Sequence, residues 1–150
     1  ISDVCSSDLA VDALAREALD HYARVGHPLE DGIGAAADVQ ARPQALRRAV
    51  ANLIDNALKY GAGPITLRTR RQAGEVQIEV LDRGPGIPET EAERMKLPFT
   101  RLDPARTGKS GSGLGLAIVE RVAQSHGGRL ELAPREGGGL IARLVISAAT

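Results

Sequence analysis

The sequence predicts one α/β domain, and three observations carry that expectation. Two alternating runs, ITLRTRR at 65–71 and EVQIEVLD at 75–82, stand either side of a Gly-containing turn and read as a β-hairpin. Three other stretches, near 9–24, 43–60 and 114–128, repeat their apolar residues at helical spacing. A length of 150 residues with 43% apolar content suits one core and argues against two domains. Only Tyr22, Tyr60 and Phe99 are aromatic, so that core is aliphatic and alanine-rich.

In chain order, Leu9, Ala13, Leu14, Ala18 and Leu19 mark a first helix running to Arg24, and Gly26 with Pro28 closes it. Short extended stretches follow at 29–34 and 37–42. Pro43 then opens a helix to about residue 60, with Leu46, Val50, Leu53, Ile54 and Ala57 on one arc. On the same wheel Asn52, Asn56 and Lys59 fall together on the opposite side. Gly61 to Pro64 breaks the helix before the hairpin. Within the hairpin's second run Val76, Ile78, Val80 and Asp82 share a parity, so a carboxylate ends the buried face. Residues 88–112 have weak periodicity and scattered Pro, Gly and charge, and an irregular segment of that length reads as a functional lid. The helix at 114–128 ends at paired glycines. Two last strands, 129–133 and 140–146, flank a Gly-rich turn. There is no internal repeat.

Composition excludes several functions. The 19 basic and 19 acidic residues cancel, so no global field draws the chain onto nucleic acid or an anionic membrane, and any phosphate site is local. Three aromatics without Trp give poor support for stacking along single strands. Cys5 is the only cysteine, which rules out an internal disulfide and a cysteine-rich zinc centre. No run approaches the ~18 apolar residues of a membrane span, and no charged start with an apolar run suggests a signal peptide. A soluble fragment without membrane contact of its own is expected. The first residue is Ile, as in a piece of a longer chain, and residues 1–8, ISDVCSSD, resemble sequencing-adapter read-through more than domain body, so the domain is placed at 9–150.

Three constellations carry chemistry. Asn at mid-helix costs some tenths of a kcal/mol relative to Ala, and Asn52 and Asn56 repeat that cost one turn apart. A solvated face explains either Asn alone. The alternative is that an amide oxygen serves as a neutral hard ligand for Mg²⁺, with Lys59 a nearby cation for phosphate. Asp82, in LDRGPGI, must find donors where it is buried, and an adenine amino group would be one; an ordinary Asp-started turn is equally compatible. Gly84 and Gly86 remove side chains where a flat ring could approach the backbone. Finally, TGKSGSGLGLAI at 107–118 is neither of two familiar phosphate loops. A P-loop needs Gly five residues before Gly108, where Asp103 stands, and a dinucleotide fingerprint from Gly111 needs Gly or Ala where Leu116 stands. Gly111, Gly113 and Gly115 nevertheless lead straight into a helix and offer bare N–H groups to an anion. A flexible helix entry is the plainer explanation of any one of them.

Taken in order, NLIDNALKYG, LDRGPGI, KLPFTRLDPARTGKSGSGLGLAIVERVAQSHGG and EGGGL resemble the catalytic ATP-binding domain of sensor histidine kinases, within the family of gyrase, Hsp90, histidine-kinase and MutL ATPases. The likeness runs from about Leu9 to Ser147. It implies a two-layer α/β sandwich of the Bergerat type, with a mixed sheet of about five strands covered on one face by three helices, and a long mobile ATP lid. It implies that Asn56 coordinates Mg²⁺ on the ATP phosphates, with Asn52 on the same wall, Lys59 touching phosphate and Tyr60 packing near adenine. Asp82 would accept the adenine amino hydrogen, with Gly84, Gly86 and Ile87 lining the base pocket. Phe99 matches the lid's aromatic, and Arg101 would reach the γ-phosphate. The run Gly111, Ser112, Gly113, Leu114 and Gly115 would cradle phosphate, and EGGGL would be structural.

Hydrolytic members of the family typically carry Glu where Asn52 stands, and an amide cannot activate water as a base. The resemblance therefore implies phosphoryl transfer to a histidine on a separate helical dimerisation domain, in a homodimeric parent chain whose response regulator acts downstream. His21, His27 and His126 do not look like that acceptor, so the fragment is expected to bind ATP without phosphorylating itself. Its expected place is cytoplasmic, with the parent chain compatible with an inner-membrane anchor. The competing expectations are a degenerate kinase that holds nucleotide as a regulatory module, and an anti-sigma-type serine kinase on the same fold.

Overall fold

The computed structural model describes residues 7–34, 36, 38–92, 94–97 and 115–148. Among these residues the elements run β1 (Ser7–Leu9), α1 (Val11–Arg24), β2 (Glu30–Ile33), β3 (Val39–Ala41), α2 (Pro43–Tyr60), β4 (Thr66–Gln72), β5 (Glu75–Leu81), α3 (Glu89–Ala92), a 3₁₀ turn (Arg94–Lys96), α4 (Gly115–Ser125), β6 (Arg129–Pro134) and β7 (Leu140–Ser147). Five strands form one mixed sheet in the order β2-β4-β5-β7-β6, in which β2 and β4 are parallel and the other neighbours antiparallel. Helices α1, α2 and α4 supply the second layer, giving the expected two-layer α/β sandwich.

The binary pattern explains the layering. Leu67 and Thr69 of β4, Val76, Ile78 and Val80 of β5, Leu130 of β6, and Ala142, Leu144 and Ile146 of β7 are buried. All of these except Thr69 join a core with Val11, Leu14, Ala15 and Tyr22 of α1, Leu46, Ala49, Val50, Leu53, Ile54 and Ala57 of α2, and Leu116, Val119 and Ala123 of α4. Val76, Ile78 and Val80 pair directly with Ile146, Leu144 and Ala142, so the period of 2 is in register across the ladder. The β4–β5 turn places Ala73 at φ 52 and Gly74 at φ 80, the left-handed pair that a two-residue hairpin prefers.

The opposite face of the sheet is ionic. Arg68, Glu79, Arg143 and Glu131 stand side by side on four successive strands, so opposite signs alternate across the ladder. Glu79 has no exposed side-chain area and accepts from Arg68 at 2.7 Å and Arg143 at 2.7 Å, with Arg70 at 3.3 Å. Burial alone would push its carboxyl up, but the Arg68 and Arg143 guanidinium groups outweigh that and hold it below the usual carboxylate range.

Three expectations are corrected. α1 begins at Val11 rather than Leu9, and ahead of it Ser7 and Asp8 pair with Ala41 and Gln40 in a small antiparallel ribbon. The segment expected to be loop from Pro88 begins with α3 and the 3₁₀ turn, whose Lys96 lies 3.8 Å from Glu120 of α4. The rest of the expected lid, from residue 98, lies outside the described residues. Asn52 and Asn56 do not face away from the core: both are half-buried on its flank, while the far side of α2 carries the exposed Arg48 and Asp55. At 100° per residue Asn56 lies beside the edge of the apolar arc and Asn52 further round, so the wheel alone does not account for the burial of Asn52.

Candidate functional site

Three segments meet at one end of the sheet. Asp82 follows the last residue of β5 on the parity of Val76, Ile78 and Val80, and is 4% exposed, as that parity predicts. Its Oδ1 accepts from the Gly84 backbone N–H at 2.8 Å. Burial pushes the carboxyl up, and the amides of Gly84 and Leu140 with the charge of Arg135 offset only part of that.

The C-terminal end of α2 abuts this carboxylate. Gly61 caps the helix through its N–H to Ala57 O at 2.9 Å. A Cβ on Gly61 would stand 2.5 Å from Asp82 Cγ and 2.7 Å from its Oδ2. From the other side, a Cβ on Gly84 would stand 2.6 Å from Gly61 Cα. The Gly61 backbone thus occupies the space of a Cβ at Gly84, which by itself calls for glycine there. The Arg83 N–H closes the joint on Ala62 O at 2.7 Å.

The Gly-rich turn before β7 is the third segment. Gly137, Gly138 and Gly139 all have positive φ. Arg83 Nη1 donates to Glu136 O at 2.7 Å and Gly138 O at 3.1 Å, and Arg135 Nη1 donates to Asp82 O at 3.2 Å. A Cβ on Gly139 would overlap the same Asp82 carbonyl, and one on Gly86, itself at φ +73, would meet Gly139 O at 3.1 Å. The turn expected to be structural therefore braces Asp82. Ile87 is half-buried against the core.

Along α2, Asn52, Asn56 and Tyr60 are half-buried and Lys59 is exposed, its Nζ 5.7 Å from the centre of the Tyr60 ring. Asn52 Nδ2 is shielded from solvent and has no hydrogen-bond partner among the described residues. An orphaned amide of this kind costs about 1–3 kcal/mol. Helix α4 packs on α2 and opens at Gly115, with open space where its Cβ would be. Phe99, Arg101, Gly111, Ser112, Gly113 and Leu114 lie outside the described residues. Of the site residues expected from sequence, the structure brings together Asp82, Gly84, Gly86 and, through Gly61, the end of α2.

Sequence reasoning missed Gly61, Arg83, Arg135 and Gly139. Gly61 carried a signal, since it follows a helix directly, but it reads there as a helix stop. The histidines hold no surprise: His21 and His27 are exposed, and His126 is half-buried, its Nε2 accepting the Arg42 N–H at 3.0 Å while Nδ1 lies 2.7 Å from Val122 O.

Residues 41–150 match the family described as histidine kinase-, DNA gyrase B-, and HSP90-like ATPases. The chain belongs to that ATPase family. Within it the resemblance is to sensor histidine kinases, whose ATP-binding catalytic domain this chain represents. The Sensor protein CutS of Streptomyces coelicolor is 40% identical over 119 residues, covering 77% of this chain and 29% of that protein. The mycobacterial sensor histidine kinase MprB has a solved structure with TM-score 0.80 and 27% identity, covering 95% of this chain and 97% of that one. Full-length ShkA in complex with AMPPNP gives TM-score 0.79 and 25% identity over 97% of this chain and 32% of that one. The chain thus spans under a third of CutS and of ShkA.

Proposed function

We propose that this domain binds Mg·ATP against α2, the end of β5 and the start of α4, and passes the γ-phosphoryl group to a histidine on a separate helical dimerisation domain. The observation that carries this reading is Asp82: a buried carboxylate, braced on three sides by backbone, in a domain of this ATPase family. In this reading Asp82 accepts the adenine amino hydrogen, which selects against guanine, whose carbonyl oxygen would face it. Tyr60, Gly86 and Ile87 line the base. Lys59 reaches phosphate, Asn52 stands on the same wall as Asn56, and Gly115 opens the phosphate-facing helix.

The donor set fits Mg²⁺ as the metal. No group of three His, Cys, Asp or Glu is gathered among the described residues, so a cation here would rely on phosphate and water, as Mg²⁺ does. Asn56 would supply the one neutral amide oxygen. Bound there, the metal neutralises charge on the phosphates and aligns them. The chain itself contributes position and electrostatics, and Asn52, lacking a carboxylate, spares ATP from a water-activating base. Arg101, Phe99 and the run from Gly111 to Leu114 keep their expected roles at the γ-phosphate and lid.

No helix among the described residues is long and apolar enough to cross a membrane. We place the domain, residues 9–150, on the cytoplasmic side of a homodimeric parent kinase, with a response regulator as the final acceptor.

Two experiments test the reading. By calorimetry, Asn56→Ala should lose Mg²⁺-dependent ATP binding and Asp82→Asn should lose the preference for ATP over GTP; unchanged binding in both removes the site assignment. Mixing the domain with a histidine-bearing helical domain and γ-labelled ATP should place label on histidine. Tight binding without label would instead mark a regulatory nucleotide module, and label on serine the anti-sigma type.

A further inference from the structure

Gly61 sits where two parts of the site touch. It ends the helix that carries Asn56 and Lys59, and its Cα faces the Asp82 carboxylate at the edge of the sheet. Its backbone, at φ −93 and ψ −160, is open to any residue, so conformational freedom does not call for glycine. Space does. A Cβ would stand 2.5 Å from Asp82 Cγ, 2.7 Å from Asp82 Oδ2 and 2.8 Å from Ala57 O. Ala57 O is fixed by the Gly61 N–H at 2.9 Å, and the Gly61 backbone is backed by Gly84, where an added Cβ would already lie 2.6 Å from Gly61 Cα. The Asp82 main chain is equally fixed, by its N–H to Leu140 O at 3.0 Å and its carbonyl to Arg135 at 3.2 Å. The carboxylate is therefore the group that gives way, by rotating off its 2.8 Å bond to the Gly84 N–H.

From this we infer that Gly61 is a positioning residue for nucleobase specificity: its missing side chain fixes the aim of the Asp82 carboxylate and locks that carboxylate to the end of α2. The inference rests on the proposed reading of Asp82 as the acceptor of the adenine amino group. It adds that the choice of base is set by the helix terminus as well as by the carboxylate, and that substitution at 61 disturbs the base while leaving the phosphates.

The test compares binding of ATP with that of inosine triphosphate, in which a carbonyl oxygen replaces the amino group, both with Mg²⁺ and by calorimetry. The unaltered domain should prefer ATP by about tenfold or more, as one charge-assisted hydrogen bond supplies. Asp82→Asn should abolish the preference. Gly61→Ala should cut it to the Asp82→Asn level with little change in inosine triphosphate affinity, and should have no further effect on the ratio when added to Asp82→Asn. Gly63→Ala, where an added Cβ meets only Ile65 N at 4.0 Å, should keep the full preference. If the unaltered domain shows no preference, the reading of Asp82 fails and takes the inference with it. If Asp82→Asn behaves as expected but Gly61→Ala weakens both nucleotides equally, Gly61 is merely structural and the inference alone is overturned. Should Gly61→Ala not fold, NMR on the unaltered domain decides: the Gly61 amide resonance should respond differently to the two nucleotides and that of Gly63 should not, whereas identical responses at Gly61 overturn the inference.

Discussion

On the proposed reading of the site, Asp82 meets two opposed demands. Its carboxylate must be ionised to accept a hydrogen bond from a base, yet it is buried, and burial favours the proton. Because its folded value is raised, the native state holds that proton more tightly than the unfolded chain does. Stability attributable to Asp82 is therefore present in acid and declines as pH climbs from the ordinary Asp range, about 3.9, through the raised folded value. Asp82→Asn should abolish this slope in denaturation curves taken across pH, and should stabilise the nucleotide-free domain at neutral pH by up to about 2 kcal/mol while removing base selection. A loss of stability on that substitution would show that the charge is already well solvated. This residue was legible from sequence because alternation fixes which face a strand residue takes. Gly61, Arg135 and Gly139 were not, because their role arises from segments far apart in sequence meeting at Asp82, and no local period encodes such a meeting.

Among the elements, α2 was the most readable: Pro43 at its first turn and a sustained apolar arc set both ends correctly. The wheel misplaced only Asn52 and Asn56, because it places residues relative to their own helix and does not encode what packs beside it. β1 escaped notice because three residues carry no period, and its partner β3 lies beyond α1 and β2. The α1–α2 contact is fastened by Tyr22, whose Oη donates to Asp55 Oδ1 at 2.7 Å and lies 3.4 Å from Ala51 O. Burial, then the Asp55 carboxylate, push the phenol well above its ordinary range. A raised folded value here means stability that is complete below about pH 10 and lost as the solution becomes more alkaline. Tyr22→Phe should cost about 1 kcal/mol at neutral pH and flatten that alkaline decline, both measurable by urea titration. The β4–β5 hairpin holds a reserve of stability: Ala73 occupies the left-handed region at φ 52, where Asn or Gly fits better. Ala73→Asn should raise stability by about 0.5–1 kcal/mol without altering nucleotide affinity.

For the molecule as a whole, the ionic face of the sheet sets the response to acid. Glu79 has a lowered folded value, so the stability it contributes is present above the ordinary Glu range, about 4.3, and disappears as pH falls through the folded value. That slope opposes the one from Asp82, and the two variants separate them. Glu79→Ala should cost about 3–5 kcal/mol, since it leaves Arg68 and Arg143 facing each other without their shared acceptor, and should shift acid unfolding; a change under 1 kcal/mol would mean water replaces the carboxylate. The mixed sheet was only partly legible: its hairpins are local in sequence, whereas its order depends on β7 returning to β5.

That return has a consequence for how such a domain can change over time. Pairing Leu81 with Ile141 closes a chain segment on the order of 60 residues, and closure entropy grows only with the logarithm of length. Ten further residues inserted between 97 and 115 would cost a few tenths of a kcal/mol or less, far below what any core substitution removes. An insertion there is thus cheap in closure entropy, because β5 and β7 are already held by their own ladder.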